Sequence, residues 1–192
     1  DALVGNVNYI ERMMLLAEVS EHSRTAFFSA ECERYRINKL LRTHDKKRTR
    51  PVVVFVMTGS SVHKTYPYMA EVIQWLAEKT NAVIYCVGDA GVGKTLQDNI
   101  VINRLSETAR GSVVSLCGDL SVRESLTLAT LADCVVGPET GILNAVAYLA
   151  SVAKVVFLSH SSHENLTKDW LNTKPLAGKS ACYPCHLLLI VW

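Results

Sequence analysis

No stretch of the chain approaches the ~18 uninterrupted apolar residues of a membrane-spanning helix, so membrane contact is expected to be peripheral at most. Neither sign of charge dominates. Twenty Lys and Arg against 18 Asp and Glu leave a net charge of +2, too little to imply a nucleic-acid partner. No nucleophile elbow is present: Gly59-Ser60-Ser61-Val62-His63 lacks the second glycine that G-x-S-x-G requires. No internal repeat is evident. The opening residues Asp1-Ala2-Leu3-Val4-Gly5 do not form a secretory leader, and without an initial Met the chain is read as a fragment. The cysteines are scattered, and Cys86, Cys117 and Cys134 lie in or beside apolar runs. That usage fits reduced core thiols and a cytoplasmic setting.

What is present is a chain of 192 residues, 49% apolar and 20% charged, enough for one large or two small domains with a sizeable core. Ile10, Met13, Met14 and Ala17 share one face of a helix expected over 8–19. Thr43 to Arg50 is a basic, polar run, read as a solvated linker.

From Pro51 onward apolar strands alternate with helices. The expected strands are 52–57, 82–87, 112–116, 134–136 and 154–158. Val52-Val53-Val54-Phe55-Val56-Met57 is continuously apolar, as a strand buried on both faces should be. Pro67 is expected near the start of one helix. A further helix is expected near 96–107. Ser121 with Glu124, and Ser161 with Glu164, read as capping boxes of two more. Such alternation implies right-handed βαβ units and one parallel, helix-covered sheet of about five strands, an α/β Rossmann-like fold. The loops 58–64, 88–94, 117–121, 137–141 and 159–163 should then share one sheet edge. Ser60, Ser61, Lys64, Asp89, Glu139, Thr140 and Ser159 to His163 should converge there.

The central stretch is Asp133-Cys134-Val135-Val136-Gly137-Pro138-Glu139-Thr140-Gly141, running into an apolar helix expected over Ile142 to Ala150. It sets Glu139, Thr140 and Gly141 between a strand end and a helix start, where α/β sheets bind ligands. A helix N-terminus suits phosphate, and the acid suits sugar hydroxyls. Ser60, Ser61 and Lys64 read as donors to the same anion. His63, His160 and His163 read as surface histidines.

Two motifs offer other chemistry. Gly88-Asp89-Ala90-Gly91-Val92-Gly93-Lys94-Thr95 matches the phosphate loop G-x-x-x-x-G-K-[ST]. However, no apolar strand ends directly in the acid such an NTPase places on its metal, and the loop follows the second strand rather than the first. Cys182-Tyr183-Pro184-Cys185-His186 admits three readings: a free thiol pair, half of a structural zinc or iron site, or a haem attachment signal. A metal-stapled, non-catalytic module is therefore a further alternative.

Gly59-Ser60-Ser61-x-x-Lys64-x-x-Pro67, Val113 to Gly118 with Leu120-Ser121-x-Arg123-Glu124, and Ala132 to Gly141 together resemble glycosyltransferase family 9, the ADP-heptose:lipopolysaccharide heptosyltransferases. The resemblance runs from about residue 52 to 170. Ser159 to Leu166 and the Cys182 to His186 segment look similar to a subgroup of heptosyltransferase-like proteins. The resemblance implies the C-terminal, donor-nucleotide-binding half of a GT-B fold. Residues 1–50 would be the remnant of the N-terminal domain with its interdomain helix and linker, and 51–192 the nucleotide-sugar-binding domain.

Carried over by position, the resemblance places Ser60, Ser61 and Lys64 on the donor diphosphate and Glu139 on sugar hydroxyls. Thr140 and Gly141 would hold phosphate, and Asp89 would lie in the nucleoside loop. Glu139 stands where the family usually has Asp, and Asn144 where it often has His. The resemblance implies a nucleotide-sugar donor such as ADP-heptose, an acceptor glycan or lipid bound through a missing domain, and no required cofactor. Structural zinc or iron at Cys182 and Cys185 stays open. The base that activates the acceptor would come from the N-terminal domain, so this chain alone is expected to bind donor without appreciable turnover.

Overall fold

The computed structural model describes residues 7–21, 23–60, 64–181 and 183–184. Ser61, His63, Cys182, Cys185 and His186 lie outside the described residues. The strands are β1 Val52–Val56, β2 Val83–Val87, β3 Val113–Ser115, β4 Cys134–Pro138, β5 Ala153–Phe157 and β6 Thr173–Leu176. The helices are α1 Tyr9–Leu16, α2 Glu31–His44, α3 Met69–Lys79, α4 Val92–Asn103, α5 Glu107–Arg110, α6 Val122–Thr130 and α7 Gly141–Ala145. One wide helical turn spans His163–Thr167. No described helix is long and apolar enough to cross a membrane.

The strands form one sheet in the order β3-β2-β1-β4-β5-β6, parallel at every pairing. The valine-rich β1 lies at its centre because both of its faces are covered. Val52, Val54 and Val56 pack with Ile37 and Leu41 of α2 and Leu128 of α6. Val53, Phe55 and the following Met57 pack with Met69, Ala70 and Ile73 of α3. A run without polar alternation therefore reports burial on two sides, as read from the sequence. β1 lies between β2 and β4, where the winding reverses. A crevice opens at such a point beyond the carboxyl ends of the strands. Gly137 belongs to the same feature: a Cβ there would sit 2.7 Å from Val56 Cβ and 3.0 Å from the Val56 carbonyl oxygen. Only glycine lets β4 approach β1 so closely.

Several boundaries differ from expectation. Six strands are present rather than about five. Thr173–Leu176 was not anticipated because Pro175 interrupts any strand pattern, and a proline is tolerated at a sheet edge. The Ser121–Glu124 capping box forms as read. The Ser161–Glu164 box does not: Ser162 caps the turn by accepting the Asn165 N–H, and the Ser161 N–H goes to Glu139. Helix α4 starts at Val92, inside the glycine-rich loop, and Pro67 precedes α3 rather than opening it.

The run 43–50 is not a free linker. Asp45 accepts the N–H groups of Lys47 and Arg50. The Arg50 guanidinium donates to the carbonyls of Asn81 and Ala82 and to the Ser112 hydroxyl, tying together the amino ends of three strands. Helix α2 packs on α6, with Ile37 and Leu41 in the core. Helix α2 and the run after it thus rest against the sheet and α6. Helix α1 buries no side chain, and its expected inner face leaves Met13 63% exposed.

The largest departure is α7. The helix expected to Ala150 stops at Ala145, and the chain continues in turns. Lys154 explains how this is tolerated. It is 1% exposed, and its Nζ donates to the carbonyls of Val146, Leu149 and Val152 at 3.1, 2.7 and 2.8 Å. Three carbonyls of the turns between α7 and β5 thus converge on one ammonium, which lets the chain leave the helix early without a bare carbonyl at Val152. Burial pulls its pKa down to about 8, so it stays protonated at neutral pH. Lys154→Met keeps the stem and removes the donors. The expected loss is about 3 kcal/mol, seen as a melting temperature lower by about 6–12 °C. Lys174→Met, at an exposed position of β6, should shift it by no more than about 1 °C.

Candidate functional site

At the carboxyl edge of β1 and β4 lies a cavity of about 710 Å³, within the range of small-molecule sites. Its lining brings together Ser60, Lys64, Asp89, Glu139, Thr140, Gly141 and Asn144, seven of the eight donor-site residues expected from sequence. The eighth is Ser61. Sequence reasoning did not single out its apolar wall, which includes Val56, Leu120, Val122 and Ile142. These residues look like ordinary core and helix positions until the loops are folded. Ser125 was also missed, and it sits one turn beyond the Ser121 cap.

Glu139 is the most constrained polar side chain at the edge. It is 6% exposed. Its Oε1 accepts the N–H groups of Ser159, His160 and Ser161 at 2.8, 2.6 and 3.0 Å. Its Oε2 also accepts from the Ser161 N–H, at 3.1 Å. Burial alone would raise its pKa. The Ser161 hydroxyl and amide, followed by the Ser159 and His160 amides, outweigh that and hold it below the ordinary carboxylate value. Most of its acceptor capacity is taken by these amides, so a contact with sugar hydroxyls, as expected from sequence, would fall mainly to Oε2. The run 159–161 does converge on the site, but by its backbone. Those residues meet Glu139 and do not line the cavity.

The Glu139 carbonyl oxygen accepts Lys64 Nζ at 3.2 Å. The Lys64 stem passes over Gly59, where a Cβ would lie 2.6 Å from Lys64 Cδ. Among the described lining residues Lys64 is the one Lys or Arg. With one contact to a carbonyl, its ammonium keeps donors for an anion. Across from it, Thr140 Oγ1 is buried with no partner among the described residues. Such a hydroxyl is costly unless something else bonds it. Gly141 opens α7 with nothing within 4 Å of where its Cβ would be. With only five residues in α7, the helix contributes less field than expected.

The glycine-rich loop 88–95 is closed from within. Asp89 Oδ1 accepts the Gly91 N–H at 2.8 Å, and Oδ2 accepts the Gly93 N–H at 3.1 Å and the Thr58 hydroxyl at 3.0 Å. The Thr58 hydroxyl first, then these two amides, hold Asp89 below the ordinary carboxylate value. A phosphate loop needs such amides for phosphate, and here a carboxylate of the same chain has them. Lys94 and Thr95 do not line the cavity, and the Thr95 hydroxyl donates to the Gly91 carbonyl. The motif match is thus a local turn. Among the described residues no group of three His, Cys, Asp or Glu side chains is placed to hold a metal.

Glu139→Gln puts an amide NH₂ among backbone donors. Stability should fall by about 2–4 kcal/mol, read by denaturant unfolding at neutral pH. A depressed carboxyl stabilises above its unfolded value, near about 4.3, and loses that contribution as pH falls through its lower folded value. The gap between the original chain and the variant should therefore shrink below about pH 4.

Compared with known proteins, the sequence matches the family described as "Glycosyltransferase family 9 (heptosyltransferase)" over residues 8–150. No curated protein matches it. Among solved structures, E. coli ADP-heptose lps heptosyltransferase II is similar at a TM-score of 0.70 and 16% identity, covering 91% of this chain and 55% of that one. A glycosyl transferase family 9 protein from Veillonella parvula DSM 2008 is similar at 0.68 and 12%, covering 88% and 47%. E. coli heptosyltransferase WaaC, solved with ADP-2-deoxy-2-fluoro heptose, is similar at 0.58 and 15%, covering 95% and 54%. These likenesses establish the Rossmann-like α/β fold, and the chain spans about half the length of those proteins. With the family matched over most of its length, this chain belongs to glycosyltransferase family 9.

Proposed function

We propose that this chain forms the donor-binding side of a glycosyltransferase that moves a heptose-like sugar from a nucleoside diphosphate to a lipopolysaccharide or related acceptor. The observation that carries the reading is the pairing, in one cavity, of Lys64 with the unpartnered Thr140 hydroxyl. A diphosphate would engage both. Lys64 supplies charge, Thr140 and Ser60 supply hydroxyl donors, and the open backbone at Gly141 admits a phosphate oxygen. The apolar wall of Val56, Leu120, Val122 and Ile142 suits a flat base. Glu139 acts as a positioning residue for the edge, and Asn144 at the cavity rim suits a sugar hydroxyl. That E. coli WaaC was solved with ADP and with a fluoro-heptose analogue of its donor supports ADP-heptose as the first ligand to try.

In inverting transfer, a base removes the proton of the acceptor hydroxyl, and the enzyme stabilises the diphosphate that leaves. The residues of this cavity suit the second task. The acceptor site and the base are assigned to a partner domain, with residues 1–50 as the connection to it. Appreciable transfer by this chain alone would overturn that division. Cys182 and Cys185 are proposed to serve structure rather than transfer.

Calorimetric titration tests the reading. ADP-heptose should bind more tightly than ADP, and Lys64→Ala should weaken both by about tenfold to a hundredfold. Lys94→Ala should leave both unchanged. Binding of ATP–Mg²⁺ that depends on Lys94 would overturn the reading in favour of an NTPase. Gly141→Ala separates folding from binding. The new methyl meets no protein atom within 4 Å, so the melting temperature should hold or rise slightly. ADP-heptose binding should weaken about tenfold or more, because the methyl occupies the ligand's approach.

A further inference from the structure

A second cavity, of about 460 Å³, lies along the same sheet edge, beyond the ends of β5 and β6. Its walls come from the stretch between Lys64 and Tyr68, from the end of β5 at Phe157 to Ser159, and from residues 176–179 at the end of β6. It adjoins the donor cavity, because Lys64 lines both. Glu139 lines the donor side, and its carboxylate accepts the N–H of Ser159, which lines the second cavity. The wall between the two is therefore the junction of Lys64, Glu139 and Ser159.

The chemistry of this cavity differs from its neighbour's. Tyr66 stacks on Phe157, with ring centroids 4.4 Å apart and 23° between the planes. Tyr68 meets Tyr66 edge to face at 5.8 Å and is 60% exposed. The stacked pair makes a fixed apolar wall, and Tyr68 is the ring left open to a ligand. The chain after β6 is held close as well: a Cβ on Gly178 would lie 3.0 Å from Tyr183 Cδ2 and 3.6 Å from the Leu158 carbonyl oxygen. Among the described lining residues there is no Asp or Glu, against two lysines, Lys64 and Lys179. Lys64 is engaged by the Glu139 carbonyl. Lys179 is exposed and forms no ion pair among the described residues.

We propose that this cavity is a second saccharide subsite, which takes from the acceptor one sugar ring carrying a carboxylate or a phosphate. A pyranose has a face of C–H groups that packs on an aromatic ring, and an edge of hydroxyls that needs polar partners. Tyr68 meets the first need, and the hydroxyls of Thr65 and Ser159 in the lining meet the second. A neutral sugar would leave Lys179 unanswered, whereas an anionic one pairs with it. The volume suits one ring with its substituents. The shared wall at Lys64 sets that ring beside the donor diphosphate, which is where an acceptor has to arrive. The acceptor role rests on the donor reading above. The base and the remaining acceptor contacts stay with the partner domain, and the subsite orients one sugar without activating it.

Saturation-transfer NMR on the chain tests the proposal, with trigalacturonate, glucose 6-phosphate and maltotriose as probes. Transfer is expected to the ring protons of the two anionic sugars, and not to maltotriose at the same concentration. The stronger of the two anionic probes identifies the anion. Tyr68→Ala combined with Lys179→Gln should weaken binding of that probe about tenfold. ADP affinity should hold, because neither residue lines the donor cavity, and this also shows that the variant is folded. Equal transfer to maltotriose, undiminished binding by the double variant, or no transfer to either anionic probe would overturn the proposal. So would displacement of the bound probe by ADP-heptose but not by ADP, which would make the cavity the place of the donor's own sugar. Probe binding by a chain that does not bind ADP would overturn the acceptor role together with the donor reading. ADP binding without probe binding would overturn the subsite alone. The comparison of charged with neutral probes needs no variant.

Discussion

The edge of this molecule is held by one buried carboxylate. Glu139 follows β4 directly, and its side chain gathers three consecutive amides from the segment after β5. Its own carbonyl takes the ammonium of Lys64, which follows β1. Three strand ends, distant in sequence, are thereby fixed to one another at one residue. The charge is tolerable at that depth because its acceptor sites are bonded. The cavity is built on this junction, since Lys64 and Thr140 keep their relative positions only while the junction holds.

A second constraint acts at the other end of the strands and beneath α7. Arg50 and Asp45 bind the amino ends of β1, β2 and β3. Lys154 bonds three carbonyls of the turns that follow the five-residue helix. In each case a charged side chain does what regular secondary structure would otherwise do. The chain can therefore leave the sheet sharply and keep open space above β1 and β4.

The sheet was legible from residues 52–158 because burial on both faces produces apolar runs that need no tertiary context. Seven of the expected site residues meet in one cavity because parallel strands place their following loops on one edge. What could not be read were the acts of long-range polar groups. Nothing in the sequence near Asp89 says that its carboxylate turns back into its own loop, and nothing near Lys154 says that its ammonium reaches the carbonyl of Val146 just past a helix end. The sixth strand was hidden by Pro175, which an edge tolerates and a pattern does not. The short α7 was hidden because an apolar run does not distinguish a helix from a buried turn.

Lys64 is the one Lys or Arg among the described lining residues, which on the proposed reading bears on how charge would be balanced during transfer. The two acids that line the cavity are both ionised and internally bonded, and α7 is too short to add much field. On the proposed reading, a departing nucleoside diphosphate would gain negative charge as its bond to the sugar breaks, and among the described lining residues one ammonium would answer it. Full compensation would then require positive charge or amides that the described cavity does not itself supply, so the site would hold an intact donor more readily than it would release the leaving group.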